Sequence, residues 1–304
     1  MTSASIATAE FRAAGTDLSE RRRSGVSKGP LIDLAPSPDN VGMSWAADGA
    51  VSVGAFTTIA AIAAEPRIAQ GWPGIAAAAQ GLATPQVRHL ATLGGNLAQR
   101  SRCWYFRNPH IHCLKKSGPD CPARSGNHLY HVAFDLGPCI APHPSTMAAA
   151  LLCYDATITT DRRSRLRIGD LLGDGSNGGA DHALHFGETI RSIELPPPLT
   201  GERALYRRAI SRSHAEWPLV EVCARAVIVA RTFQTIRIVA GGIAPVPLRL
   251  FASEATLQGA PANPSTIAVA AEQTSAGATP LPMTGYKLDL LRALVHDLLE
   301  RLVA

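Results

Sequence analysis

The chain has 304 residues, 46% hydrophobic and 17% charged, which is enough for two domains and a large core and argues against disorder. Aromatics make up only 5%, so alanine, leucine, isoleucine and valine must build most of the interior. The net charge of +5 is scattered, and its densest run, Arg21-Arg22-Arg23, has no interleaved aromatics, so it reads as a solvated loop and not a nucleic-acid surface.

The N-terminal Met1–Ala7 lacks a basic region followed by an apolar one, so no signal peptide is expected. No apolar run is long enough to span a bilayer. The expected location is cytoplasmic, or periplasmic if a partner carries the export signal. Ala13 to Leu18 forms a first small-residue turn, and Pro30–Leu34 reads as a short buried strand. Ala50–Ala55 alternates like a strand. Thr57 or Thr58 can cap a helix through Ala63 that ends at Pro66, and Trp72-Pro73-Gly74 opens an alanine-rich helix through Ala79.

A tight glycine turn, Ala91-Thr92-Leu93-Gly94-Gly95-Asn96-Leu97, comes next, followed by an irregular cysteine-bearing segment. Ser145 caps a helix over Met147–Tyr154, and strands are expected at Thr157–Thr160 and Glu188–Leu195. Gly173–Gly179 is a surface loop, with no lysine or helix start to make it a phosphate loop. Pro196-Pro197-Pro198 marks the domain boundary, giving domains over 1–198 and 202–304. In the second, Ala226–Ala230 and Ile236–Ala240 read as strands joined by a turn around Arg231–Gln234. Leu288, Leu291, Leu294, Val295, Leu298 and Leu302 fall at helical spacing on a core-facing C-terminal helix.

Two features carry chemistry. A dinucleotide's pyrophosphate is commonly held by backbone N–H groups, which need glycine or small residues for close approach. Gly15-Thr16-Asp17 and Gly94-Gly95-Asn96 meet that need, with Thr16 and Thr92 as hydroxyl donors. Neither has the Gly-x-Gly-x-x-Gly spacing of a Rossmann site. The second feature is Cys103, Cys113, Cys121 and Cys139, four of the six cysteines, within 37 positions. Clustering favours a metal site over a disulfide framework. Arg102, Lys115, Lys116 and Arg124 would favour thiolates. There is no Cys-x-x-Cys pair, but His110, His112, His128, His131 and His143 are available to zinc. Spacing alone leaves iron–sulfur, zinc and unligated thiols open. Cys153 and Cys223 sit in apolar segments and read as core.

The run from Ala91 to Cys103 resembles the flavin-binding subunits of the molybdenum hydroxylases, the xanthine dehydrogenase, carbon monoxide dehydrogenase and aldehyde oxidoreductase superfamily. Ala14–Leu18 is similar to that family's first FAD loop. Val53-Gly54-Ala55 with Thr57-Thr58, Pro144–Ala148, Tyr206-Arg207-Arg208, Ala240–Pro245 and Tyr286-Lys287 resemble its later motifs in order. The cysteine segment, about residues 100–143, is similar to an insertion in the aldehyde oxidoreductase flavin subunit that holds an additional 4Fe–4S cluster.

The resemblance implies an α+β fold: a PCMH-type FAD-binding domain of two α+β subdomains, then a smaller α+β domain of the CO dehydrogenase flavoprotein type. It implies FAD bound by Ala13, Ala14, Gly15, Thr16, Asp17, Leu18, Thr92, Gly94, Gly95 and Asn96, with Arg102, Ser145, Ile193, Leu195 and Arg208 nearby. It implies Cys103, Cys113, Cys121 and Cys139 as cluster ligands. The partners implied are a 2Fe–2S small subunit and a molybdopterin-binding large subunit, in a heterotrimer or its dimer. Electrons would pass from the 2Fe–2S clusters through FAD to an external acceptor. Three positions depart from the pattern: Ala14 for glycine, Thr146 for aspartate and Arg208 for lysine. With the short N-terminal segment they motivate an alternative, a scaffold subunit without FAD. A zinc-binding structural protein is the third reading.

Overall fold

The computed structural model describes residues 9–304, so Met1–Ala7 lies outside the described residues. β1 (Glu10–Arg12) pairs in parallel with β2 (Leu31–Asp33). Leu31 and Ile32 are half-buried and Asp33 is exposed, unlike the buried strand expected, because this ribbon has no third strand to cover it. A helix, Leu18–Arg23, lies between the two strands. Arg21 bonds Glu10 at 2.7 Å and Asp17 at 3.1 Å, so the triple-arginine run is an anchored helix end and not a solvated loop.

β3 (Met43–Trp45), β4 (Val51–Gly54), β5 (Thr157–Thr160), β6 (Leu166–Arg167) and β7 (Ile190–Leu195) form an antiparallel sheet in the order β3-β4-β7-β5-β6. Neighbours 4 and 7 are far apart in sequence, and everything between β4 and β5 is an insertion on that sheet. Thr58 caps the helix Ile59–Ala64 by accepting from the Ala61 N–H. Pro66 does not only end that helix. It occupies the first position of the next, Pro66–Gly71, where its missing N–H costs nothing. The alanine-rich helix Pro73–Gly81 packs so closely on its surroundings that a Cβ on Gly74 would lie 2.8 Å from the Cys223 sulfur. Small residues let helices approach, which is how an aromatic-poor chain builds a dense interior.

β8 (Glu202–Ala209), β9 (Val220–Val229), β10 (Thr232–Gly241) and β11 (Leu248–Arg249) form a second antiparallel sheet in the order β11-β10-β9-β8. The β9–β10 turn is shorter than expected. Ala230 and Arg231 alone form it, both with positive φ (47° and 58°), as a tight hairpin requires. Gln234 sits instead at a bulge inside β10. The C-terminal helix Tyr286–Val303 packs on β8 and β9, with Leu291, Val295, Leu298 and Leu302 buried. Cys153 and Cys223 are buried core thiols, as read from their apolar segments. No helix is long and apolar enough to cross a membrane among the described residues.

Candidate functional site

The first small-residue loop and the glycine turn line one groove. Its two stretches, about 140 and 340 Å³, meet at Thr16, Asp17, Gly95 and Gln99. One stretch carries Ala13, Ala14, Gly15 and Leu18 with Thr92 and Gly94; the other carries Asn96, Arg102, Thr146 and Arg208.

The two walls differ in what their backbones offer. Gly15 has φ +77°, which turns the loop after β1. Among the described residues, the N–H groups of Ala13, Ala14, Gly15 and Thr16 have no hydrogen-bond partner. Successive free N–H groups around a left-handed residue form an anion-binding concavity. The opposite wall is not the open turn expected. Leu93–Leu97 is a helical turn capped by Thr92, and its donors are already used. Leu93 N donates to Thr57 O at 3.0 Å, Gly94 N to Ala55 O at 2.8 Å, and Gly95 N to the Thr92 hydroxyl at 3.2 Å. Gly94 lacks a side chain because a Cβ there would lie 2.9 Å from the Ala55 Cβ.

Asp17 is held inside a cationic ring. Its carboxylate binds Arg107 at 2.7 Å, Arg102 at 3.0 Å and Arg21 at 3.1 Å, and accepts from Arg100 N at 3.2 Å. Burial works against its charge, but Arg102 and Arg107 keep its carboxyl below the usual range. Burial lowers Arg102 to about 10, and its Nε is buried without a partner. A buried donor left without a partner is a group that a ligand oxygen could satisfy. With the free loop N–H groups, it fits the phosphates of a dinucleotide.

Ser145 does not line the groove. It caps the helix Thr146–Cys153 and donates to Asn96 Oδ1 at 2.7 Å, so it positions Asn96. Ile193 and Leu195 are buried in the sheet core and do not reach the groove; Glu188, Thr189 and Ile190, just before them, do. Arg208 lines the groove and donates to His214 O. Thr146, where an aspartate was expected by resemblance, donates to Glu221 Oε2 at 2.8 Å, so a buried carboxyl stands one hydroxyl away from the groove. Sequence reading missed Gln99, which links both stretches and lies inside the quoted motif run. It also missed Trp217, an indole from the loop between β8 and β9 that lines the wider stretch.

The cysteine segment carries a short helix, Trp104–Arg107, and a 3-10 turn, Leu114–Lys116. All four cysteines are free thiols, buried or half-buried. Cys139 acts on the neighbouring Cys121 thiol and lowers it, while Cys139 itself, buried beside Cys121, is pushed up. Burial raises Cys103 to about 11, and Cys113 and Cys121 lie near enough to add to that. Cys103 Sγ lies 3.2 Å from His131 Nε2. The cations are engaged elsewhere: Lys115 with Asp181 at 2.8 Å, Arg124 with Asp135 at 2.8 Å, Lys116 with backbone carbonyls. Among the described residues, no group of three or more His, Cys, Asp or Glu side chains is gathered tightly enough to hold a metal ion in this arrangement.

A family model described as the FAD binding domain in molybdopterin dehydrogenase matches residues 4–198. A second, the CO dehydrogenase flavoprotein C-terminal domain, matches residues 205–302. The aldehyde oxidoreductase FAD-binding subunit PaoB of Escherichia coli (strain K12) is 34% identical over 235 residues, covering 75% of this chain and 72% of that one. A putative xanthine dehydrogenase FAD-binding subunit, XdhB, of the same organism is 21% identical over 279 residues, covering 90% and 81%. Quinoline 2-oxidoreductase from Pseudomonas putida 86 shares the fold with a TM-score of 0.76 at 19% identity, over 99% of this chain and 91% of that one. Reconstituted CO dehydrogenase from Oligotropha carboxidovorans gives 0.74 at 19%, over 97% and 90%.

Proposed function

The chain belongs to the FAD-binding subunits of the molybdenum hydroxylases, and from that premise we propose how its own residues serve electron transfer. It is an oxidoreductase subunit of the aldehyde and xanthine dehydrogenase type. The reading divides it into residues 1–198, which hold the flavin, and 202–304, which close the groove's far side with Arg208 and Trp217. When bound, FAD supplies two-electron chemistry on one side and one-electron chemistry on the other. The observation that carries its placement is the run of unpartnered N–H groups from Ala13 to Thr16, opposite Thr92 and beside the orphaned Arg102 Nε.

In this reading the first loop binds the pyrophosphate and the glycine turn shapes the opposite wall. Asp17 orients Arg102 toward the groove without neutralising all its donors. Asn96, fixed by Ser145, and Arg208 border the flavin end, where a cation stabilises negative charge on a reduced ring. Two loops so complementary give no support to a scaffold subunit that binds no flavin.

The four thiols would hold a 4Fe–4S cluster. Supporting this are the mutual influence of the Cys121 and Cys139 thiols and that of Cys113 and Cys121 on Cys103, all on one segment, although the four are not drawn together in this arrangement. The partners would be a 2Fe–2S subunit and a molybdopterin subunit acting on an aldehyde, as the name of the 34% identical relative suggests. Anaerobic reconstitution of the full chain tests both centres. The expected result is one FAD and about four irons per chain, with Cys121→Ser losing iron and keeping flavin. A chain without flavin absorbance sinks the first assignment; zinc in place of iron sinks the second.

A further inference from the structure

Beside the flavin groove lies a second cavity of about 460 Å³ that the flavin reading leaves unused. The two share Arg102, Pro144, Glu216, Trp217 and Pro218. The chain has four tryptophans, and two of them, Trp104 and Trp217, line this cavity together with Tyr130. These three rings stay 39%, 49% and 43% exposed, in a chain poor in aromatics. Trp104 and Tyr130 meet edge to face with centroids 5.6 Å apart, and Arg102 stacks on Trp217 at 4.2 Å. Exposed rings gathered at one concave site offer stacking faces for a planar ligand.

The polar lining of the cavity includes Lys287, Arg212, Glu216 and Glu221, with the imidazoles of His131 and His143. Lys287 Nζ donates to Gly242 O at 2.7 Å and Tyr130 O at 3.2 Å, which leaves a third N–H for the cavity it lines. Neither Lys287 nor Arg212, also at the wall, forms an ion pair among the described residues. Glu221 is buried at the same wall, and burial raises its pKa so that it keeps its proton more readily. Its Oε2 accepts from Tyr206 at 2.6 Å and from Thr146 at 2.8 Å, and Thr146 lines the flavin groove. A hydrogen-bonded path of two side chains therefore joins the two chambers.

We propose that this cavity binds a planar aromatic dicarbonyl of the quinone class, the acceptor for electrons leaving the flavin groove. This rests on the flavin reading above. An electron-poor ring stacks well on indole and phenol faces, and its carbonyl oxygens accept from Lys287 and Arg212. The reaction balances without another reactant. FAD held in the groove would supply, in its reduced form, the two electrons and two protons. The quinone gains both electrons, and each carbonyl oxygen takes one proton, giving the hydroquinone. Thr146 and Glu221 carry protons between the chambers.

The test titrates the FAD-loaded full chain with 1,4-naphthoquinone-2-sulfonate by equilibrium dialysis, with benzoate as a parallel probe. The expected result is saturable binding of one equivalent, weakened about threefold to tenfold in Tyr130→Ala and in Arg212→Ala, with flavin content and thermal midpoint unchanged. Equal binding by wild type and both variants overturns the proposal. So does benzoate binding as tightly as the quinone, or probe binding that occurs only when FAD is absent, which would put the probe in the groove. A flavin-loaded chain that binds no probe overturns this proposal alone; a chain that takes up no FAD overturns the flavin reading and this one with it.

Discussion

The two glycine-bearing segments that line the groove do opposite work. At Ala13–Thr16 four N–H groups have no partner among the described residues, and the fold asks little of them. At Leu93–Gly95 the donors are bonded to Thr57, Ala55 and Thr92, and the missing Gly94 side chain makes room for Ala55. Similar sequences of small residues thus divide into a segment kept open for a ligand and a segment closed for the fold. Glycine content alone does not reveal which is which, because both uses need a backbone free of side chains.

The largest expected effect falls on the closed segment. Gly94→Val drives a side chain into Ala55 and is expected to destabilise the chain by about 3 kcal/mol, read as a lowered denaturation midpoint, with flavin lost alongside. If stability held and only flavin were lost, Gly94 would belong with the ligand and the contrast would fail.

Asp17→Asn comes next, since it leaves Arg102, Arg107 and Arg21 without their shared carboxylate; a loss of about 2 kcal/mol is expected for a mostly buried network. The sign of its pH dependence follows from a folded pKa held below the unfolded one. The contribution is fully present above the unfolded value near pH 4. It disappears as pH falls through the lower folded value. Wild type should therefore lose its advantage over Asp17→Asn in acid unfolding curves, and a constant difference down to low pH would contradict the network.

The smallest effect on stability is expected at the open segment. Gly15→Ala puts a Cβ at φ +77°, costing about 1 kcal/mol, and brings it 3.3 Å from Arg12 Cδ and Ser19 Oγ, which need give only slightly. FAD affinity should nonetheless fall more than tenfold in a fluorescence titration. Equal loss of flavin binding and stability in the two glycine variants would erase the distinction between the segments.

Much of this was legible in the order of residues. Strands β4, β5 and β7, the capping roles of Thr58 and Ser145 and the C-terminal helix follow from local periodicity and side-chain chemistry, which the tertiary structure had no reason to override. The resemblance carried by Ala91–Cys103 led to the family and to an α+β fold, and both stand. The hairpin turn was displaced because two non-glycine residues, Ala230 and Arg231, adopt positive φ, a conformation their types do not advertise.

What the sequence by itself determined is the family, the α+β fold and most of the residues that line the groove. Only the tertiary structure decided which backbone donors remain free, because that depends on carbonyls at Thr57 and Ala55, more than thirty residues from Leu93 and Gly94, whose N–H groups they accept from. It also decided that Lys287 is buried without an acidic partner among the described residues and that Trp104, Tyr130 and Trp217 share one wall. Periodicity reports which face of an element is apolar. It carries no information about what distant segment will stand across from that face, and both chambers are built from such encounters.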